Sequence, residues 1–178
     1  MEITDLAEEG RSSEAQRADR LGRLYSDHAP GGLRLALLLT GDRELAEDLI
    51  QDAFVRIVGR FRHLRIRYSF ASYLNRTIVN LARDKGRRLQ IERRQLERER
   101  VAASASPAES DLGTRQHVVS ALMTLPARQR AAMVLRYYQD LSEQQVADVL
   151  DLSLPATKSL ISRGMESLRK IIGGPNDE

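Results

Sequence analysis

Residues 141–170, LSEQQVADVLDLSLPATKSLISRGMESLRK, decide how this chain folds. They hold two short helical patterns around a tight corner. Ser142 is a good N-cap, and Gln145 three residues on completes a capping box. Val146, Ala147, Val149 and Leu150 supply the apolar face of the first helix. Asp151-Leu152-Ser153 is the corner; Ser153 caps the second helix, and Pro155 is tolerated in its first turn. In that second helix Leu154, Thr157, Ile161, Met165, Leu168 and Ile172 recur at helical spacing and face a core. The opposite face carries Ala156, Ser159, Ser162 and Arg163, with Lys158 at the margin. Small and polar side chains with two cations, on a helix after a three-residue turn, suit the major groove of DNA. A helical bundle with a solvated face has the same pattern, so the rest of the chain must arbitrate.

Working outward, 178 residues allow one domain or two small ones. Cysteine is absent, which excludes disulfides and thiolate metal sites within the chain. The run Leu33–Leu39 is too short to span a bilayer, and no secretory start is visible, so a cytoplasmic protein without membrane insertion is expected. The net charge is only +3, but arginines and acids cluster in different places. That distribution, more than its sum, fits nucleic acid.

Residues 1–20 hold six acids and three arginines with few large apolar groups, and read as a disordered arm. A first helix follows, with Leu24, Tyr25, Leu33, Leu35 and Leu37–Leu39 as core; Pro30-Gly31-Gly32 is expected to break or kink it. His28 has no partner for a ligand role and reads as surface or cap. Asp42 caps a long helix over 43–60, whose core stripe is Leu45, Ala46, Leu49, Ile50, Ala53, Phe54 and Ile57. Its other face shows Glu44, Glu47, Asp48, Gln51 and Asp52. Such a face cannot lie on phosphates; it is either solvated or docked on a basic protein.

RFRHLRIR, residues 60–67, is densely basic, and Tyr68, Phe70 and Tyr73 come directly after it. Cations interleaved with aromatics suit unpaired nucleic acid, although a core role competes for Phe61 and Phe70. The helix over 71–88 buries Leu74, Ile78 and Leu81 and exposes Asn75, Arg76, Asn80, Arg83, Lys85, Arg87 and Arg88. Residues 83–100 carry eight cations against four acids and read as a solvated helical extension. VAASASPAESDLG, residues 101–113, is small, polar and Pro-containing, and marks a linker placed at 96–113. The thirteen residues 101–113 reach about 40 Å when extended, which implies two separate bodies.

The second body spans 114–173, ahead of a tail at 174–178. Val118, Val119, Leu122 and Met123 form one amphipathic helix; Pro126 opens the next, with Met133, Val134, Leu135 and Tyr138 on its core side. Arg128, Arg130 and Arg136 stay available for phosphates, and Gly173-Gly174-Pro175 stops the last helix. The fold class is therefore all-α: two small helical domains, 21–95 and 114–173, joined by a flexible linker, the second ending in a helix-turn-helix. No phosphate loop, zinc spacing or nucleophile–base set is present, so neither an enzyme nor a cofactor is expected.

Three stretches in order, TGDRELAEDLIQDAFVRI, FASYLNRTIVNLARDKGRR and LPARQRAAMVLRYYQDLSEQQVADVLDLS, resemble the extracytoplasmic-function sigma factors of bacterial RNA polymerase, over roughly 21–172. The resemblance implies that the acidic helix, through Glu47, Asp48, Gln51, Asp52 and Phe54, docks on the clamp helices of the polymerase β′ subunit. It implies a −10 reader built from Arg65, Arg67, Tyr73, Arg76, Asn80, Arg83 and Arg87, with Asn80 helping to hold a flipped base. Tyr73 stands where the family often has Trp. The second domain then reads the −35 element through Pro155, Ala156, Lys158, Ser159, Ser162 and Arg163, and also meets the β flap. Its partners are core polymerase, promoter DNA and a separate anti-sigma factor. Against the family pattern, Asp151 replaces the usual corner glycine, Pro155 a frequent Gly, Leu160 a common Arg and Gly164 a usual Ala. The competing reading is a free-standing regulator using only the helix-turn-helix, which has no need of the acidic helix.

Overall fold

A computed structural model describes the backbone of residues 2–60, 70–99 and 114–172 and the side chains of 16, 19–58, 70–89 and 117–172. Every element among the described residues is helical: α1 Glu2–Thr40, α2 Arg43–Arg60, α3 Phe70–Glu99, α4 Thr114–Thr124, α5 Ala127–Met133, a π-helical turn Val134–Tyr138, α6 Glu143–Leu150 and α7 Leu154–Ile172. No helix among the described residues is long and apolar enough to cross a membrane. The all-α architecture with a terminal helix-turn-helix is as the sequence implies.

The first unit packs α1, α2 and α3. Asp42 starts α2 by accepting the Leu45 N–H at 3.0 Å. Ala46, Leu49, Ile50, Ala53 and Ile57 then bury one stripe of that helix against Leu35, Leu74 and Ile78. Burying each large aliphatic side chain stabilises the unit by about 1.5–3 kcal/mol.

Pro30-Gly31-Gly32 does not end α1, which runs through it. The reason lies at Gly32, where an added Cβ would come 2.5 Å from Ile50 Cδ1 and 3.1 Å from Ile78 Cδ1. This glycine brings the helices together; it is not a hinge. Residues 2–20 continue as the start of α1 where an arm was expected. Their Glu, Arg, Ala and Gln content favours helix, and a helix anchored in a core propagates outward at little cost. An exposed Arg23–Asp19 pair at 2.6 Å, one turn apart, adds to this. In the same way α3 reaches Glu99, past the boundary placed at residue 95.

The second unit packs α4 to α7. Ser142 caps α6 with the full capping box: its Oγ accepts the Gln145 N–H at 3.2 Å, and Gln145 Oε1 accepts the Ser142 N–H at 2.8 Å. Val146, Ala147 and Val149 are buried as the pattern implies, and Asp151 ends the helix in the left-handed region at φ +56°. In α7, Thr157 and Ile161 are buried, but Ile172 is 68% exposed. Gly164 is buried where an added Cβ would meet Met133 Cγ at 2.7 Å, so α7 and α5 touch there through a side chain packed on bare backbone. Leu160 packs against the core, which accounts for an apolar residue at that position.

A further expectation fails at Tyr138. Tyr138, expected on the core side, is 43% exposed beside Tyr137 at 57%. The cause is the π turn: Gln139 N–H reaches back to Val134 O at 3.1 Å, and the extra residue rotates the tyrosines outward. The two domains expected from the sequence are both present, and they pack on each other, their buried residues joining in one cluster.

Candidate nucleic-acid interface

The acidic surface is set by α2. Glu44, Asp48, Gln51 and Asp52 are exposed and Glu47 is half-buried. Arg43 Nε holds Glu47 Oε1 at 2.9 Å, and Lys85 of α3 sits 3.4 Å from Asp48 Oδ2. Glu44 and Asp52 make no ion pair among the described residues. Phe54, core by its spacing and part of this surface only by the resemblance, is 7% exposed. Its ring lies 4.7 Å from Tyr25 and 5.9 Å from Phe70, so it fixes the helix from beneath. His28 joins the same aromatic group, 5.0 Å from Phe70.

On α3, Arg83, Arg87 and Arg88 are exposed, while Tyr73, Arg76, Asn80 and Lys85 are half-buried. Tyr73 packs against the core edge, as does Phe70. Asn75, expected on the exposed face, is buried at 6%. It lies one residue from Leu74, inside the stripe that faces α1 and α2. Arg65 and Arg67 lie outside the described residues, as do Phe61 and Tyr68.

The face of α7 expected to read DNA is open. Pro155, Ala156, Lys158, Ser159, Ser162 and Arg163 are all exposed on one side of the helix. Ser153 Oγ accepts the Ala156 N–H at 3.4 Å, and Thr157 Oγ1, fully buried, donates to Ser153 O at 3.1 Å. The corner is thereby fixed from both sides. Lys158 Nζ lies 3.6 Å from Glu143 Oε2, and Arg163 Nε donates to Ser159 O at 3.2 Å. Both cations rest lightly on the protein and are free to turn to a phosphate or a base edge.

Sequence reasoning missed how α3 meets the helix-turn-helix. Arg76 Nη1 donates to Asp148 O at 3.4 Å, and its Nη2 lies 3.6 Å from Asp151 Oδ1. A cleft follows alongside, lined by Asn80, Arg83 and Arg87 of α3 and by Arg128 and Arg130 of α5. It also missed an apolar groove of about 740 Å³ lined by Leu38, Val118, Tyr137, Met165 and Ile172. A Tyr-Tyr pair followed by Gln-Asp was its sequence signal: two adjacent aromatics cannot both face a core from a regular helix.

The profile of Sigma-70 region 2 matches residues 24–91, and that of Sigma-70, region 4, matches residues 115–168. The chain is 29% identical over 157 residues to the RNA polymerase sigma factor CarQ of Myxococcus xanthus, covering 87% of this chain and 90% of that one. It is 30% identical to the RNA polymerase sigma-E factor of Streptomyces avermitilis, covering 78% and 76%. Among solved structures, the fold matches the sigma factor RpoE of Bartonella quintana in complex with the anti-sigma factor NepR. The TM-score is 0.71 at 20% identity, over 87% of this chain and 98% of that one.

Proposed function

The chain belongs to the extracytoplasmic-function branch of the sigma-70 RNA polymerase sigma factors, and from that premise we propose which of its helices does what. The protein directs RNA polymerase to promoters in transcription initiation, and its family consists of initiation factors without catalysis of their own. In our reading α2 docks on the β′ clamp helices through Glu47, Asp48, Gln51 and Asp52, with Phe54 holding the surface in place. The segment from Arg65 and Arg67 into α3, with Tyr73, Arg76, Asn80, Arg83 and Arg87, reads the −10 element. The exposed face of α7 reads the −35 element in the major groove. The work takes place in the cytoplasm.

The observation that carries this reading is the charge contrast on one small unit. Exposed carboxylates of α2 stand beside exposed arginines of α3. A protein that only bound DNA would gain nothing from the carboxylates, since phosphates repel them; a basic protein surface attracts them. We place a second protein contact at the groove beside Tyr137 and Ile172, where both side chains are exposed over an apolar lining. The β flap or a separate anti-sigma factor fits it.

Mixing the chain with core polymerase and promoter templates tests the assignment. Run-off transcripts starting at defined promoters, absent with core enzyme alone, are expected. Tight duplex binding by the chain alone, with no effect on core polymerase, would contradict it.

A further inference from the structure

We propose that the cleft between α3 and α5 binds a nucleoside polyphosphate, gripped from both helical units at once. The cleft holds about 260 Å³, and no carboxylate lines it. Four arginines do. Arg87 is neutralised by Asp84 at 2.6 Å. Arg83 and Arg128 make no ion pair among the described residues. Arg130 donates Nη1 to Met123 O at 3.3 Å, but its Nε is buried without a partner. Arg23, Arg43, Lys85, Lys158 and Lys170 each face a carboxylate, and the other arginines without an ion pair among the described residues, such as Arg56 and Arg88, are exposed and line no shared cleft with one another. Three guanidiniums without counter-charge thus converge on one concavity. Burial also weakens the hold of Arg130 on its proton. An anion would offset both the mutual repulsion and the lost hydration.

The chemistry of the lining selects the anion. A planar guanidinium fork matches phosphate oxygens in pairs, and a chain of phosphates offers several such edges to several arginines. The remaining wall is apolar, from Leu39, Val79, Leu150 and Leu152, and accepts a flat ring. Asn80 at its edge can both donate to and accept from a base. The volume lies just below the range usual for small-ligand sites, about 300–1,000 Å³, and is too small for a helix about 10 Å wide or for a duplex.

A ligand held by α3 and α5 together stabilises the packed arrangement of the two units over any arrangement that separates them. It also covers Asn80 and Arg83. The binding itself stands on the cleft; only its effect on promoter capture rests on the −10 assignment above.

The test titrates the full chain, without polymerase or DNA, with ATP, GTP and inorganic tripolyphosphate at constant ionic strength. Saturable binding of one nucleotide per chain is expected, with tripolyphosphate weaker. Arg83→Met with Arg130→Met should weaken nucleotide binding at least about tenfold, each lost contact being a charged hydrogen bond. Arg23→Met should leave it unchanged. Amide shift changes in the unaltered protein, confined to residues 79–87, 127–131 and 150–152, give the same answer without depending on a variant's fold. No saturable binding, equal loss in Arg23→Met, or shifts spread over other basic surfaces would overturn the site. Tripolyphosphate binding as tightly as ATP would overturn the nucleoside part. A nucleotide that binds the cleft without competing against a single-stranded −10 oligonucleotide supports the site and counts against the −10 assignment alone.

Discussion

Arg76 of α3 reaches Asp151, the left-handed corner residue between α6 and α7, with Nη2 and Oδ1 3.6 Å apart. The pair joins the proposed −10 reader to the corner of the −35 reader. In sequence Asp151 looks like a poor substitute for glycine; in the fold its carboxylate has an opposite charge to face.

The two side chains are 43% and 86% exposed, so water screens them heavily. A double-mutant cycle of Arg76→Ala and Asp151→Ala, read by urea denaturation, should give a coupling below about 1 kcal/mol that vanishes at high salt. A contact this weak guides the packing of the units yet yields to DNA or polymerase. Coupling that is larger and indifferent to salt would mean the units are locked together.

Gly32→Ala should destabilise the protein by about 1–3 kcal/mol, because the new methyl group overpacks a buried site. Ile50→Val, which removes the atom 2.5 Å from that position, should recover part of the loss in the same chain. Thermal melts of the single and double variants decide it; an unchanged melt for Gly32→Ala would show that the helices separate freely.

Lys158→Ala and Arg163→Ala should weaken binding of the −35 duplex by the holoenzyme. We expect Lys158 to face the groove and Arg163 a phosphate. The first then relaxes base choice by about 1–3 kcal/mol at one position, and the second lowers affinity uniformly and reduces the salt slope. Measuring affinities over a set of single-base variants at several salt concentrations separates these effects. If neither change matters, α7 is not the reader.

Much of this was legible in the sequence, and the exceptions share a cause. The capping box at Ser142 and Gln145, the Asp42 cap and the stripes of α2 and α6 are local: spacing along one helix fixes them. Gly32 was misread, and Gly164 showed only as a departure from the family pattern, because a glycine's value depends on what packs across from it, here Ile50 and Met133. Tyr138 was misplaced because one π turn shifts the phase of a helix without any proline or glycine to announce it. Asn75 sat at the margin of its stripe, where a small rotation decides burial. The Arg76–Asp151 contact joins residues far apart in sequence, beyond the reach of any periodicity.

Asn80→Ala should leave polymerase association and the closed complex nearly unchanged while depressing open-complex yield. Extruding a base costs a few kcal/mol, which an amide contacting the base edge helps to offset. Permanganate reactivity of the −10 thymines, read beside a thermal melt of the free variant, distinguishes base capture from a packing defect. Normal reactivity would place base capture on another residue.

The docking role of α2 is the claim on which the rest depends, and Asp48→Arg with Asp52→Arg tests it most directly. Reversal sets like charges against a basic partner surface and should cost several kcal/mol of binding. It also removes the Lys85–Asp48 pair, an exposed contact worth little, so the melt of the free variant should barely move. Pull-down with core polymerase should therefore lose the variant while its fold persists. Retention at the level of the unaltered chain would contradict the account.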